Sequence, residues 1–196
     1  MAVTSKRLLR VGLLGFGLAL SFISTRAQDT AEPASPEIIS RYEQILEREP
    51  EEGVSFDKLI EIYEQGDGLE KLDARWAPIG AQGGAKGATY SLLRGMLADR
   101  MGKTDAARAL LQAATVAAPT DYHTWLALGN FEARDGKLPA AIDAFQKGLA
   151  TPVTGEDQLA LFHQLGQAQE RNLDDTGALA TWQKMTATFP QDTFAL

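Results

Sequence analysis

Few residues in this chain could do chemistry by type and spacing. Histidine occurs twice, at His123 and His163, and there is no cysteine. Neither histidine stands in HExxH or another short ligand spacing, so a metal site would need carboxylates that no pattern marks out. Serine and threonine are plentiful, but none sits in G-x-S-x-G, and no carboxylate pair is spaced for acid and base work. The glycine-rich run at residues 80–88 invites comparison with a phosphate-binding loop. It lacks the Gly-Lys-Ser/Thr ending and no strand precedes it, so it is expected to be a flexible loop, the most mobile segment of the folded region. These residues nominate no catalytic group, no metal site and no cofactor.

One spacing does recur. Arg100, Arg134 and Arg171 stand 34 and 37 residues apart, each near the end of an apolar-periodic stretch. Two readings stay open: the cations complement the negative ends of helices, or they form a ladder that pairs with acid on a ligand.

The elements that carry these arginines are helix pairs. In residues 122–150, Trp125, Leu128 and Phe131 or Glu132 share one face at a 3.6 period, and Ala141, Phe145 and Leu149 share another, with Asp135, Gly136 and Lys137 as the turn between. A shift back by 34 takes Gly129 to Gly95, Gly136 to Gly102, Ala141 to Ala107 and Phe145 to Leu111. A shift forward by 37 takes Leu128 to Leu165, Gly129 to Gly166, Ala141 to Ala178 and Phe145 to Trp182, which places a three-residue insertion in residues 151–158. Helices this short need stacked neighbours to bury their apolar faces. Gly95 with Ala107, Gly129 with Ala141, and Gly166 with Ala178 are expected to be the points where the paired helices meet most closely.

The pattern resembles the tetratricopeptide repeat (TPR), whose 34-residue unit carries W-x2-L-G-x2-Y, then A-x3-F, then P. The second copy keeps Trp125, Leu128, Gly129, Ala141 and Phe145 but has Glu132 for the Tyr and Val153 for the Pro. The first keeps Gly95, Ala107, Leu111 and Pro119, with Ser91 for the Trp and Arg94 for the Leu. The third keeps Leu165, Gly166, Ala178, Trp182 and Pro190, with Phe162 for the Trp. The resemblance implies an all-α solenoid of antiparallel helix pairs, with repeats at 88–121, 122–155 and 159–192. It also implies that the first helix of each pair lines a concave groove. The groove residues are then Leu92, Met96, His123, Leu126, Asn130, Arg134, His163, Gln167 and Arg171, apolar at one end and polar at the other, as suits a peptide or helix. Leu92 and Leu126 have a second reading as packed core, and the histidines as polar groove residues or as a metal or proton-linked pair. The clamp by which some TPR domains hold chaperone tails is absent, because its positions hold Leu92, Met96, Ala127, Ala160 and Gln164.

Ahead of the repeats, residues 1–27 hold Lys6, Arg7, Arg10 and Arg26 but no acid, around an apolar run from Val11 to Ile23. This reads as a signal peptide cut before Gln28, the alternative being an uncleaved anchor. Residues 28–37 are expected to be a flexible linker. Residues 38–87 are expected to hold a cap helix, with Ile38, Tyr42, Ile45 and Leu46 inward, and a degenerate helix pair. Without the leader, 15 basic residues face 26 acidic ones, a net charge of −11 that argues against nucleic acid and anionic membrane as ligands. The expectation is a non-enzymatic protein-interaction scaffold of the periplasm or cell envelope, or else the scaffold portion of a longer envelope enzyme or assembly factor. At the other end, Leu179, Trp182 and Met185 lie on the last helix with Thr193–Leu196 beyond it. That arrangement leads us to expect further repeats or self-association there.

Overall fold

The computed structural model describes residues 35–191 of the 196. The leader, residues 28–34 of the linker and the stretch Thr193–Leu196 lie outside them. Among the described residues there are nine helices and no strand: α1 (Pro36–Leu46), α2 (Val54–Gln65), α3 (Leu69–Gly80), α4 (Gly84–Arg100), α5 (Thr104–Ala117), α6 (Tyr122–Arg134), α7 (Leu138–Leu149), α8 (Gly155–Arg171) and α9 (Asp175–Thr188). None of them is long and apolar enough to cross a membrane. The architecture is an all-α solenoid in which each helix packs on the next and the first helices α4, α6 and α8 also adjoin one another.

Each of the three later pairs closes on a bare backbone. A Cβ placed on Gly95, Gly129 or Gly166 would stand under 3.0 Å from Leu111, Phe145 or Trp182 respectively. The glycine therefore faces the large residue of the second helix, not the alanine four positions earlier. Ala107, Ala141 and Ala178 are buried beside this contact, at 0%, 0% and 3% exposure, and leave room for it. Glycine here costs helix propensity and returns it as close packing.

The turns inside the pairs share one geometry. Gly102 and Gly136 adopt φ of +71° and +78°, and the amide after each, at Lys103 and Lys137, donates back to the carbonyls of Ala98 and Glu132 at 2.8 Å. This left-handed stop satisfies carbonyls that the helix end would leave bare. The third pair repeats it, with Asp174 N–H donating to the carbonyl of Gln169 at 2.9 Å, but the left-handed residue is Leu173, at φ 60°.

Three expectations are corrected by local packing. The run 80–88 is mostly helix: only residues 81–83 separate α3 from α4, and Gly87 lets the helices approach, since a Cβ there would stand 3.2 Å from the carbonyl oxygen of Gly80. α8 begins at Gly155, so part of the expected insertion extends that helix, making it 17 residues long like α4. α1 starts at Pro36, whose missing N–H suits a first turn, and it turns inward Leu46 and Glu43, leaving Ile38 and Ile45 at 46% and 38% exposure. Glu43 goes inside because it has donors there: Arg75 Nε and Nη2 at 2.7 and 2.8 Å and Trp76 Nε1 at 2.9 Å. Met185 is fully buried, while Leu179 is 59% exposed and lines a shallow depression with Trp182 and Thr186.

Two measurements check this account. Leu173→Gly removes left-handed strain at a side chain that is 87% exposed and packs on little, so it should raise unfolding free energy by about 1 kcal/mol and the melting midpoint by about 2 to 4 °C. Gly129→Ala drives a methyl into the Phe145 ring and should cost about 1 to 3 kcal/mol in the same assay. An unshifted midpoint for Gly129→Ala would refute the close approach.

Candidate functional site

The site is built on the start of α6 and the middle of α4. Asp121 caps α6, its Oδ1 accepting the amide of His123 at 3.1 Å and lying 2.8 Å from the ring Nδ1 of the same residue. Burial alone would push the Asp121 carboxyl up, but the hydrogen bond and charge of His123 outweigh it and hold the group below its ordinary range. The ring of His123 stacks on Tyr122 at 4.0 Å between centroids. The Tyr122 phenol is pushed up by burial first, then by its hydrogen bond to Asp157 and by the charges of Asp157 and Glu51.

Beyond His123 a cavity of about 190 Å³ opens, lined by Met96 from α4 and His123, Leu126, Ala127 and Asn130 from α6. Its remaining wall comes from far away in sequence: Pro50, Glu51 and Glu52 of the connection between α1 and α2. An apolar floor with a few polar groups at the rim suits an inserted side chain better than chemistry on a small molecule. Among the described residues no group of three or more His, Asp or Glu is placed to hold a metal ion.

At the edge of the cavity Arg134 donates to Glu52 through both terminal nitrogens, Nη1 to Oε2 at 3.2 Å and Nη2 to Oε1 at 3.0 Å, and Nη2 also meets Asp99 Oδ2 at 2.7 Å. Arg171 Nη2 donates to the carbonyl of Ala133 at 2.9 Å, and Arg100 Nη2 to Asp57 Oδ1 at 2.8 Å. Asp99 and Ala133 are equivalent positions, one residue before the arginine of the preceding pair. Arg134 and Arg171 are therefore ties reaching back to the end of the previous first helix, whereas Arg100 ties to the first turn of α2.

A tetratricopeptide-repeat family profile matches residues 92–152, which include the α4 and α6 side of this site but not the wall of Pro50, Glu51 and Glu52. Two solved structures share the fold. The crystal structure of MamA protein is 20% identical with a TM-score of 0.50, over 82% of this chain and 78% of that one. The APC/C hetero-tetramer Cut9-Hcn1 is 16% identical with a TM-score of 0.50, over 81% of this chain but 32% of that one. No curated protein matches the sequence. Residues 92–152 thus match the tetratricopeptide repeat, and the described residues share the fold of TPR-type helical solenoids.

The TPR register explains the departures from the family pattern. Glu132, at the tyrosine position, is 3% exposed and accepts from Arg108 Nε at 3.0 Å and Nη2 at 3.3 Å, and that guanidinium also pairs with Asp135 and lies 5.0 Å over the Phe131 ring. An ion pair from the previous second helix thus replaces a phenol. Gln169, at the same position of the third repeat, accepts from Thr181 Oγ1 at 2.7 Å. The family tryptophan Trp125 donates its indole N–H to the carbonyl of Pro119 at 2.8 Å and so closes the joint between the first and second repeats.

Of the nine groove residues expected from the sequence, Met96, His123, Leu126 and Asn130 line one cavity and Arg134 stands at its edge. Leu92 is a correction: it is 0% exposed within the larger core cluster, because α4 is enclosed by α3 and α5 and turns that side inward. Met96 is itself only 4% exposed. His163, Gln167 and Arg171 lie on α8 away from this cavity; the His163 ring stands 5.7 Å from Trp182. The free arginine ladder is corrected as well, since all three guanidinia have partners within the chain. What the sequence did not reveal is Pro50, Glu51 and Glu52, whose only mark is a run of acids between two helices.

The Asp121 cap gives a pH test. Its carboxyl is held below the unfolded value, so its contribution is complete above the ordinary aspartate pKa and is lost as pH falls through the depressed one. Asp121→Ala should cost about 1 kcal/mol at neutral pH. The gap between the urea-unfolding free energies of the two proteins should begin to close only below about pH 4. A gap that is constant across that range would exclude an ionised cap.

Proposed function

We propose that this TPR array is a non-enzymatic protein-interaction scaffold of the cell envelope, and that its inner face holds a peptide or helical segment of a partner protein. The observation that carries this reading is the cavity between α4 and α6. It is roofless enough to admit a side chain, its floor is Met96, Leu126 and Ala127, and Asn130 and His123 offer polar atoms at its rim. Met96 adapts to varied shapes, and the polar pair fixes orientation. The acidic leader-free composition favours a protein ligand over nucleic acid. The envelope assignment rests on the charged and apolar pattern of residues 1–27.

A photo-crosslinking residue placed at Asn130 should capture a partner from the envelope fraction of producing cells. The same residue at Val116, on α5 and 81% exposed, should capture none. Equal capture from both positions, or none from Asn130, would overturn the inner face as the binding surface.

A further inference from the structure

We propose that the connection between α1 and α2, residues 47–53, is a resident stand-in for the partner, and that the partner peptide presents a proline followed by carboxylates. The inference rests on the reading that the inner face holds a peptide, and names the chemistry of that peptide. The segment is Glu47-Arg48-Glu49-Pro50-Glu51-Glu52-Gly53, outside any helix, and it lies against α4 and α6 where a ligand would lie. Pro50 is buried, and Glu52 engages Arg134 with both carboxylate oxygens. That two-point fit is the geometry a guanidinium offers any carboxylate, including one from another chain.

The segment is tied at its ends and borders open space along its middle. At the α1 end Glu47 Oε1 accepts from the Tyr90 hydroxyl and pairs with Lys86 Nζ, both at 2.8 Å. At the α2 end Asp57 takes Arg100 at 2.8 Å. Between these ties there is unfilled space on both sides. One side is the cavity of about 190 Å³ toward α6. The other, about 220 Å³, is lined by Ile45, Leu46, Glu49, Glu51 and Val54. The Arg134 and Glu52 side chains are 47% and 39% exposed, and such a pair shifts an equilibrium by at most about fivefold. A competitor can therefore displace the Glu52 carboxylate from Arg134 while the ties of Glu47 and Asp57 stay in place. Because Glu52 is tethered beside Arg134, it lowers the apparent affinity of any external carboxylate by the fraction of time it occupies the site.

The test uses the full chain and a fluorescein-labelled peptide of residues 47–54, EREPEEGV, with anisotropy as the readout. The wild type should bind this peptide weakly, Glu52→Gln should bind it up to about fivefold more tightly, and Arg134→Gln should lose it. A peptide with its glutamates replaced by glutamine should fail to bind either the wild type or Glu52→Gln. Saturating peptide should raise amide exchange over residues 48–53 without raising it in α1 or α2. The proposal is overturned if the amidated peptide binds as well as the acidic one, if Glu52→Gln gives no gain, or if binding leaves exchange at 48–53 unchanged. Should Arg134→Gln unfold through loss of its Asp99 tie, the peptide arms decide the matter in the wild-type chain. Capture from Asn130 alongside failure here would retain the inner face and discard only this ligand chemistry.

Discussion

Everything in this molecule depends on three places where a helix offers no side chain to its neighbour. At Gly95, Gly129 and Gly166 the bulk of Leu111, Phe145 and Trp182 lies almost on the opposing backbone. Such a contact has one solution in each pair. Sliding either helix by a residue would bring a Cβ against a buried ring, and packed interiors have no slack to absorb it. The crossing of the two helices is thereby fixed, and with it the direction in which the first helix shows its remaining faces.

The same register is carried from pair to pair by polar ties. The left-handed turns at Gly102, Gly136 and Leu173 close each pair with the same backbone bond, and Arg134 and Arg171 reach back to Asp99 and Ala133 of the pair before. Trp125 adds a bond to Pro119, and the buried Glu132 draws in Arg108. Breaking one member of a buried pair strands the other, so these ties fix geometry even where their net contribution to stability is small. Their joint effect is to align α4, α6 and α8 as one inner row, and a cavity shared by α4 and α6 exists because of that alignment.

What could be read in the sequence was what repeats. Glycines, alanines and arginines at a fixed period located the helix pairs, their turns and the face on which Met96, His123, Leu126 and Asn130 meet. What could not be read was set by partners distant along the chain. Periodicity put Ile45 inside α1, but Glu43 goes in, since the donors that make its burial tolerable are on Arg75 and Trp76, 32 and 33 residues away. Leu92 occupies a groove position of the family and is closed off within the core cluster that α4 shares with α3 and α5. The wall supplied by Pro50 and Glu52 joins residues 82 apart, beyond the reach of any local pattern.

The recurring arginine occupies one repeat position but meets a different kind of acceptor in each pair. Arg171 gives its hydrogen bond to a backbone carbonyl, an acceptor that belongs to the stack and cannot leave it. Arg100 pairs with Asp57, on the first turn of α2. Arg134 alone divides its nitrogens between a stack acceptor, Asp99, and an acceptor on a connection, Glu52. The Asp99 bond keeps the guanidinium oriented whether or not Glu52 is present, so the second acceptor position is preorganised and its occupant need not be covalently linked. Preorganisation lowers the cost of binding. Under the proposal made above, a residue fixed by the geometry of the array would become a recognition element where the chain's own acid is exchanged for another.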